Sequence, residues 1–187
     1  MKRLTGKQQS AAQLTIAALM AAVMCVLGPV SVPIGPIPIA MANLVVGLAA
    51  WLLGARLAAA SVAVYLMLGA VGMPVFAGYG AGAAVLFGPT GGYLIGYLAM
   101  ALVGGWAVEH TGGRPVLSGL GLAAGVAVSY AFGTAWFIVQ MGCTLPYALG
   151  VCVVPFIPFD LAKVALASAA GSLLRRRLAD AGLLHHN

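Results

Sequence analysis

The chain has 187 residues, 63% of them hydrophobic and only 6% charged, with 26 glycines and a formal net charge of +6. Soluble domains carry about 25% charged residues, so a soluble enzyme or binding domain is excluded and one integral membrane domain over residues 1–187 is left. The positive charge does not indicate a nucleic-acid partner: no basic patch is interleaved with aromatics, and the basic residues sit between hydrophobic runs.

Residues 1–10 are polar, with Lys2, Arg3 and Lys7. The apolar run at 11–27 is long for a signal peptide and more spans follow it, so it reads as a retained helix. Its Ala17/Ala21 and Ala18/Ala22 pairs recur at four-residue spacing, which lets another helix backbone approach closely. Alanine is also a common helix former, so the spacing alone is a weak signal. Residues 29–38, P-V-S-V-P-I-G-P-I-P, cannot be regular helix, because proline removes donors and blocks continuation. They predict an extended, uncharged loop, either a lid over an apolar ligand or a plain connector.

A second span, 39–53, is short against the ~20 residues a crossing needs, and Asn43 is its only strongly polar member. Residues 54–56 predict a tight turn and 57–71 a third span. The glycine-rich, uncharged stretch 72–89 holds Pro74, Phe76 and Tyr79. The fourth span, 91–108, opens beside Tyr93 and carries Gly92 and Gly96 in a G-x-x-x-G pair suited to close helix packing. A polar turn at 109–114 precedes a fifth span, 116–139, which ends near the interfacial anchor Trp136 and Gln140. A broken stretch, 142–158, leads into the sixth span, 159–174, closed by Arg175, Arg176 and Arg177. The tail, with His185 and His186, reads as disordered, and two adjacent histidines alone are not a metal site. Cys25, Cys143 and Cys152 have no metal-ligand spacing; the last two read as free thiols, with a disulfide as the alternative.

The sixth span opens with Pro158, Asp160 and Lys163. Three-residue spacing puts the acid and the base on one helix face. Each costs about 2.5–3.5 kcal/mol at the bilayer centre on insertion scales, so intramembrane charges are functional candidates by default. Pro158 suits a first helical position, and Asp160 then meets the positive end of the helix dipole. The bland alternative is an ion pair that only holds two helices together.

Apart from Lys163, all of the nine lysines and arginines fall at the N-terminus, the 54–56 turn, the 109–114 turn or the C-terminus. In a six-span chain these regions share one side, which the positive-inside rule makes cytoplasmic. The uncharged loops and the Asp160/Lys163 pair then face outward.

Enzyme signatures are missing: no H-E-x-x-H, no G-x-S-x-G, and no phosphate-binding loop ending in G-K-[ST]. Neither a catalytic residue nor a metal site is expected. What remains is a binding site. Asp160 can accept from ligand N–H groups and Lys163 can donate to a carbonyl or carboxylate. Phe76, Tyr79, Tyr93, Phe156, Phe159 and Trp136 are candidate apolar walls.

Pro36-Ile37-Pro38, the run Gly69 to Phe76, Gly88-Pro89-Thr90-Gly91-Gly92-Tyr93 and the stretch Pro155 to Lys163 resemble the BioY family. These are the membrane-embedded, biotin-binding S components of energy-coupling-factor (ECF) vitamin transporters. The resemblance spans the first to the sixth helix. It implies an all-α S-component fold of six transmembrane helices with both termini cytoplasmic. It also implies biotin as the transported ligand with no other cofactor, captured from outside in the cell membrane, and a coupling protein with two ATPases as partners. Ala17, Ala18, Ala21 and Ala22 match the family's docking face. Thr90 and Asn43 join the substrate-binding set, although Ala40-Met41-Ala42 stands where a Thr-x-Gln is expected. Asp160 and Lys163 suit the ureido ring, with Lys163 open to the valerate carboxylate instead. A stand-alone biotin carrier, an S component for another small vitamin and a purely structural membrane subunit are the alternatives.

Overall fold

The computed structural model describes residues 6–34 and 37–181; Lys2, Arg3, Pro36, His185 and His186 lie outside them, as does the side chain of Lys7. Apolar runs of about 20 residues satisfy every backbone group internally only as helices. Among the described residues, five helices are long and apolar enough to cross a membrane. They are α1 (Gly6–Leu27), α2 (Ala42–Ala70), α4 (Gly91–His110), α5 (Pro115–Met141) and α7 (Ile157–Asp180). Two short helices, α3 (Ala83–Leu86) and α6 (Leu145–Cys152), lie in the stretches that read as glycine-rich or broken.

The helix α2 is two helical segments joined at Gly54. Gly54 has φ 73° and ψ −172°, a backbone region open essentially to glycine alone. A straight helix would separate Ala40 from Tyr65 by more than ~30 Å, yet both line one cavity. The chain therefore doubles back at Gly54, and 42–53 and 55–70 run side by side. The turn is capped by Glu109, whose Oε1 accepts the Ala55 N–H at 3.0 Å. Arg175 donates to the Trp51 carbonyl at the same end. The predicted turn at 54–56 is thus a one-residue break within a longer helical element.

The proline run departs from the all-helical expectation. β1 (Ser31–Ile34) and β2 (Ile37–Ala40) form an antiparallel hairpin with Val32 opposite Ile39 and Pro33 opposite Pro38. The Met41 N–H donates to the Val30 carbonyl at 3.1 Å. Counting back from that bond, alternation of the ladder puts the two prolines at a non-hydrogen-bonded pair, where neither has to donate. Ile37 and Ile39 are buried and the hairpin lies over one end of the helices as a structured cover.

Helices α2, α4, α5 and α7 pack together, with α1 against α2. Glycines make the α4–α5 seam. A Cβ on Gly92 would fall 2.3 Å from Trp136, one on Gly96 2.6 Å from the Ser129 hydroxyl, and one on Gly133 2.3 Å from the Tyr93 ring. Trp51, Tyr65, Phe76 and Leu122 fill the interior. Leu14, Leu19, Val26, Leu120, Val139 and Leu166 are exposed, as lipid-facing side chains of a membrane helix are.

Candidate ligand-binding site

The helix starts of α2 and α7 converge under the hairpin. Asn43 is the second residue of α2, and Asp160 lies in the first turn of α7. Both helix dipoles therefore favour negative charge there. Asp160 is buried, and its carboxylate is held by three donors. The Asn43 amide donates to Oδ1 at 2.7 Å, Lys163 Nζ to the same oxygen at 3.1 Å, and the Tyr130 hydroxyl to Oδ2 at 2.5 Å. Lys163 also donates to the Ala40 carbonyl at 2.8 Å. A buried ion pair persists only when hydrogen bonds take up its remaining valences, and this one has a main-chain carbonyl, an amide and a phenol to do so.

The pair borders a cavity of about 50 Å³ lined by Ile37, Asn43, Tyr93, Tyr97, Tyr130 and Phe156. A second cavity of about 220 Å³ adjoins it and shares Ile37, Pro38, Ala40, Tyr93 and Tyr97. Its far walls are Tyr65, Phe76, Val85 and Leu94, and Thr90 also lines it. Taken singly, each is smaller than the roughly 300–1,000 Å³ of small-molecule sites. Tyr93 stands between them, its hydroxyl 2.9 Å from that of Thr134.

Of the residues singled out from the sequence, Asp160, Lys163, Asn43, Tyr93 and Phe156 line the first cavity, and Phe76 and Thr90, with Tyr93 again, the second. Three lie elsewhere. Tyr79 is 72% exposed on the loop before α3, and Phe159 is 49% exposed on the outer face of α7. Trp136 packs on Gly92 and donates its indole N–H to the Gly88 carbonyl at 3.0 Å. It fixes the loop that leads into α4 without lining either cavity.

Tyr97, Ser129 and Tyr130 border the first cavity and were not legible. An isolated tyrosine or serine in an apolar helix resembles packing; the four-residue step from Tyr93 to Tyr97 was the available signal. The three cysteines are free thiols. The alanine face of α1 divides in two. Ala17 and Ala21 are 8% and 3% exposed, and the Ser61 hydroxyl donates to the Ala17 carbonyl at 2.9 Å. Those two pack inside the protein against α2, whereas Ala18 and Ala22 are exposed.

The fold is similar to a known one. It matches the 2.1 Å crystal structure of the S-component for biotin from an ECF-type ABC transporter, with a TM-score of 0.85 and 31% identity, over 92% of this chain and 95% of that one. No curated protein sequence matches significantly. The BioY family model matches residues 1–180, and the chain belongs to the BioY family.

Proposed function

We propose that this protein is the biotin-binding S component of an ECF-type transporter. It would capture biotin at the outer face and release it inward when docked on a coupling protein with two ATPases. The observation that carries the reading is the hydrogen-bonding capacity left over at the Asp160/Lys163 pair. Two of the three Lys163 N–H groups are spent on Ala40 and Asp160, leaving one donor. Asp160 Oδ2 accepts one bond and has room for another. Asn43 Oδ1 is buried without a hydrogen-bond partner among the described residues. A cyclic urea presents one carbonyl and two N–H groups, the complement of one donor and two acceptors. The fused sulfur ring and the valeryl chain suit the apolar walls beyond.

The orientation follows from charge. With α2 counted as two crossings, the chain would cross six times, with both termini on the side of Arg56, Arg114 and Arg175–Arg177. That side is cytoplasmic by the positive-inside rule. The cavities then sit toward the outer face under the hairpin, where a vitamin arriving from outside would meet them.

Uptake of labelled biotin by cells deficient in biotin transport tests the reading. Expression together with a coupling protein and ATPases is expected to restore uptake, and Asp160→Asn to abolish it. Equal uptake by cells with and without this chain would contradict it.

A further inference from the structure

The two cavities differ in charge as well as in shape. Lys163 is the one cation among the described residues bordering either of them, and it is fully engaged in charge terms. Its partner Asp160 lies at 3.1 Å, so the pair presents no net charge, and the Ala40 carbonyl takes a further N–H. Among the described residues, no carboxylate, lysine or arginine lines the second cavity. Its polar groups are hydroxyls. Tyr65 donates its own to the Val75 carbonyl at 3.1 Å, whereas Tyr97 and Thr90 make no side-chain hydrogen bond among the described residues. Tyr97 borders both cavities.

This division bears on how a ligand with a neutral polar head and an anionic tail would lie. An unpaired carboxylate is costly to bury, and no cation among the described residues lines the second cavity to pair with it. Hydroxyls can donate to a carboxylate or to an amide carbonyl alike. Ala77 and Thr90, both half-buried, belong to the loops at that cavity's edge. A tail lying along the apolar walls would bring its terminal group there, within reach of water.

Resting on the functional reading above, we infer that this protein recognises the neutral bicyclic head of its ligand and is indifferent to the charge of the tail. Its ligands then include carboxyl-amidated forms of biotin as well as the free acid. The first cavity takes the ureido head at Asp160 and Lys163. The second takes the acyl chain, with Tyr97 and Thr90 as uncharged hydrogen-bonding groups. Lys163 is accordingly not the partner of the valerate carboxylate.

The test is competition binding on the purified full chain in detergent, with biotin and its primary amide as probes at neutral pH. The amide is expected to bind within tenfold of the acid. Tyr97→Phe, which removes only a hydroxyl, is expected to weaken both probes by the same factor. A preference for the acid of more than tenfold would overturn the inference, because it would mean that Lys163 or the start of α4 reads the negative charge. So would a Tyr97→Phe variant that weakens the acid alone. Failure of biotin itself to bind would overturn the functional reading and this inference together. Tight binding of the acid with loss of the amide would overturn this inference alone.

Discussion

A buried carboxylate in a membrane protein has to be explained atom by atom. Asp160 is explained by its donors: Asn43, Lys163 and Tyr130 come from α2, α7 and α5, so the site also ties three helices together. Removing one member of such a pair strands the other, at a cost of about 3–5 kcal/mol. Asp160→Asn and Lys163→Ala are each expected to weaken biotin binding at least tenfold and to lower the melting temperature in detergent. Normal affinity in both variants, if they remain folded, would sink the assignment. Tyr130→Phe removes one hydrogen bond to a charged acceptor, worth about 1.5–3 kcal/mol; thermal unfolding should register it as a destabilisation, and an unchanged melting temperature would remove Tyr130 from the account. The acid, the base and Asn43 were legible in the sequence because polar residues stand out in apolar spans. Tyr130 and Tyr97 were not, because a tyrosine's apolar ring reads as packing until its hydroxyl's partner is known.

At the scale of elements, spans were easier to read than what joins them. Hydropathy placed the long helices, missing the start of α1 and the end of α7 because polar residues continue both helices beyond the apolar run. It gave no hairpin, because four prolines in ten residues argue against a strand; pairing Pro33 with Pro38 where no donor is needed removes that objection. The Gly54 break was visible as the glycine of a Gly54-Ala55-Arg56 turn, but not that Glu109 would close it. Gly54→Ala is expected to destabilise by about 1–3 kcal/mol from backbone strain alone, with further loss because its Cβ would fall 1.9 Å from Glu109 Oε1. A melting temperature equal to that of the parent would contradict the doubled-back form of α2. The α1 alanines separate likewise. Ala17→Trp and Ala21→Trp are expected to damage the fold, since both face α2. Ala18→Trp and Ala22→Trp should leave biotin binding intact and block co-purification with the coupling protein. Full uptake by the last two variants would show that α1 is not the docking face.

Across the whole molecule, the arginines and the candidate ligand site lie at opposite ends. The described arginines gather at the end closed by Glu109, and the cavities open at the opposite end beneath the hairpin. That partition was readable from the positions of the eight basic residues other than Lys163; the division of the site into two cavities was not, because it depends on how Tyr93 and Tyr97 stand between β2 and α5. Cysteines introduced at 72–89 are expected to react with membrane-impermeant thiol reagents applied outside, and more slowly with biotin bound. Labelling from the cytoplasmic side alone would invert the topology and the site with it. The most direct measurement of the central claim is equilibrium binding of labelled biotin to the purified chain, with other water-soluble vitamins as competitors, beside the Asp160→Asn variant. The account predicts saturable binding that biotin alone displaces and that the variant loses at least tenfold. Displacement by an unrelated vitamin at equal concentration, or undiminished binding by a folded Asp160→Asn protein, would contradict it.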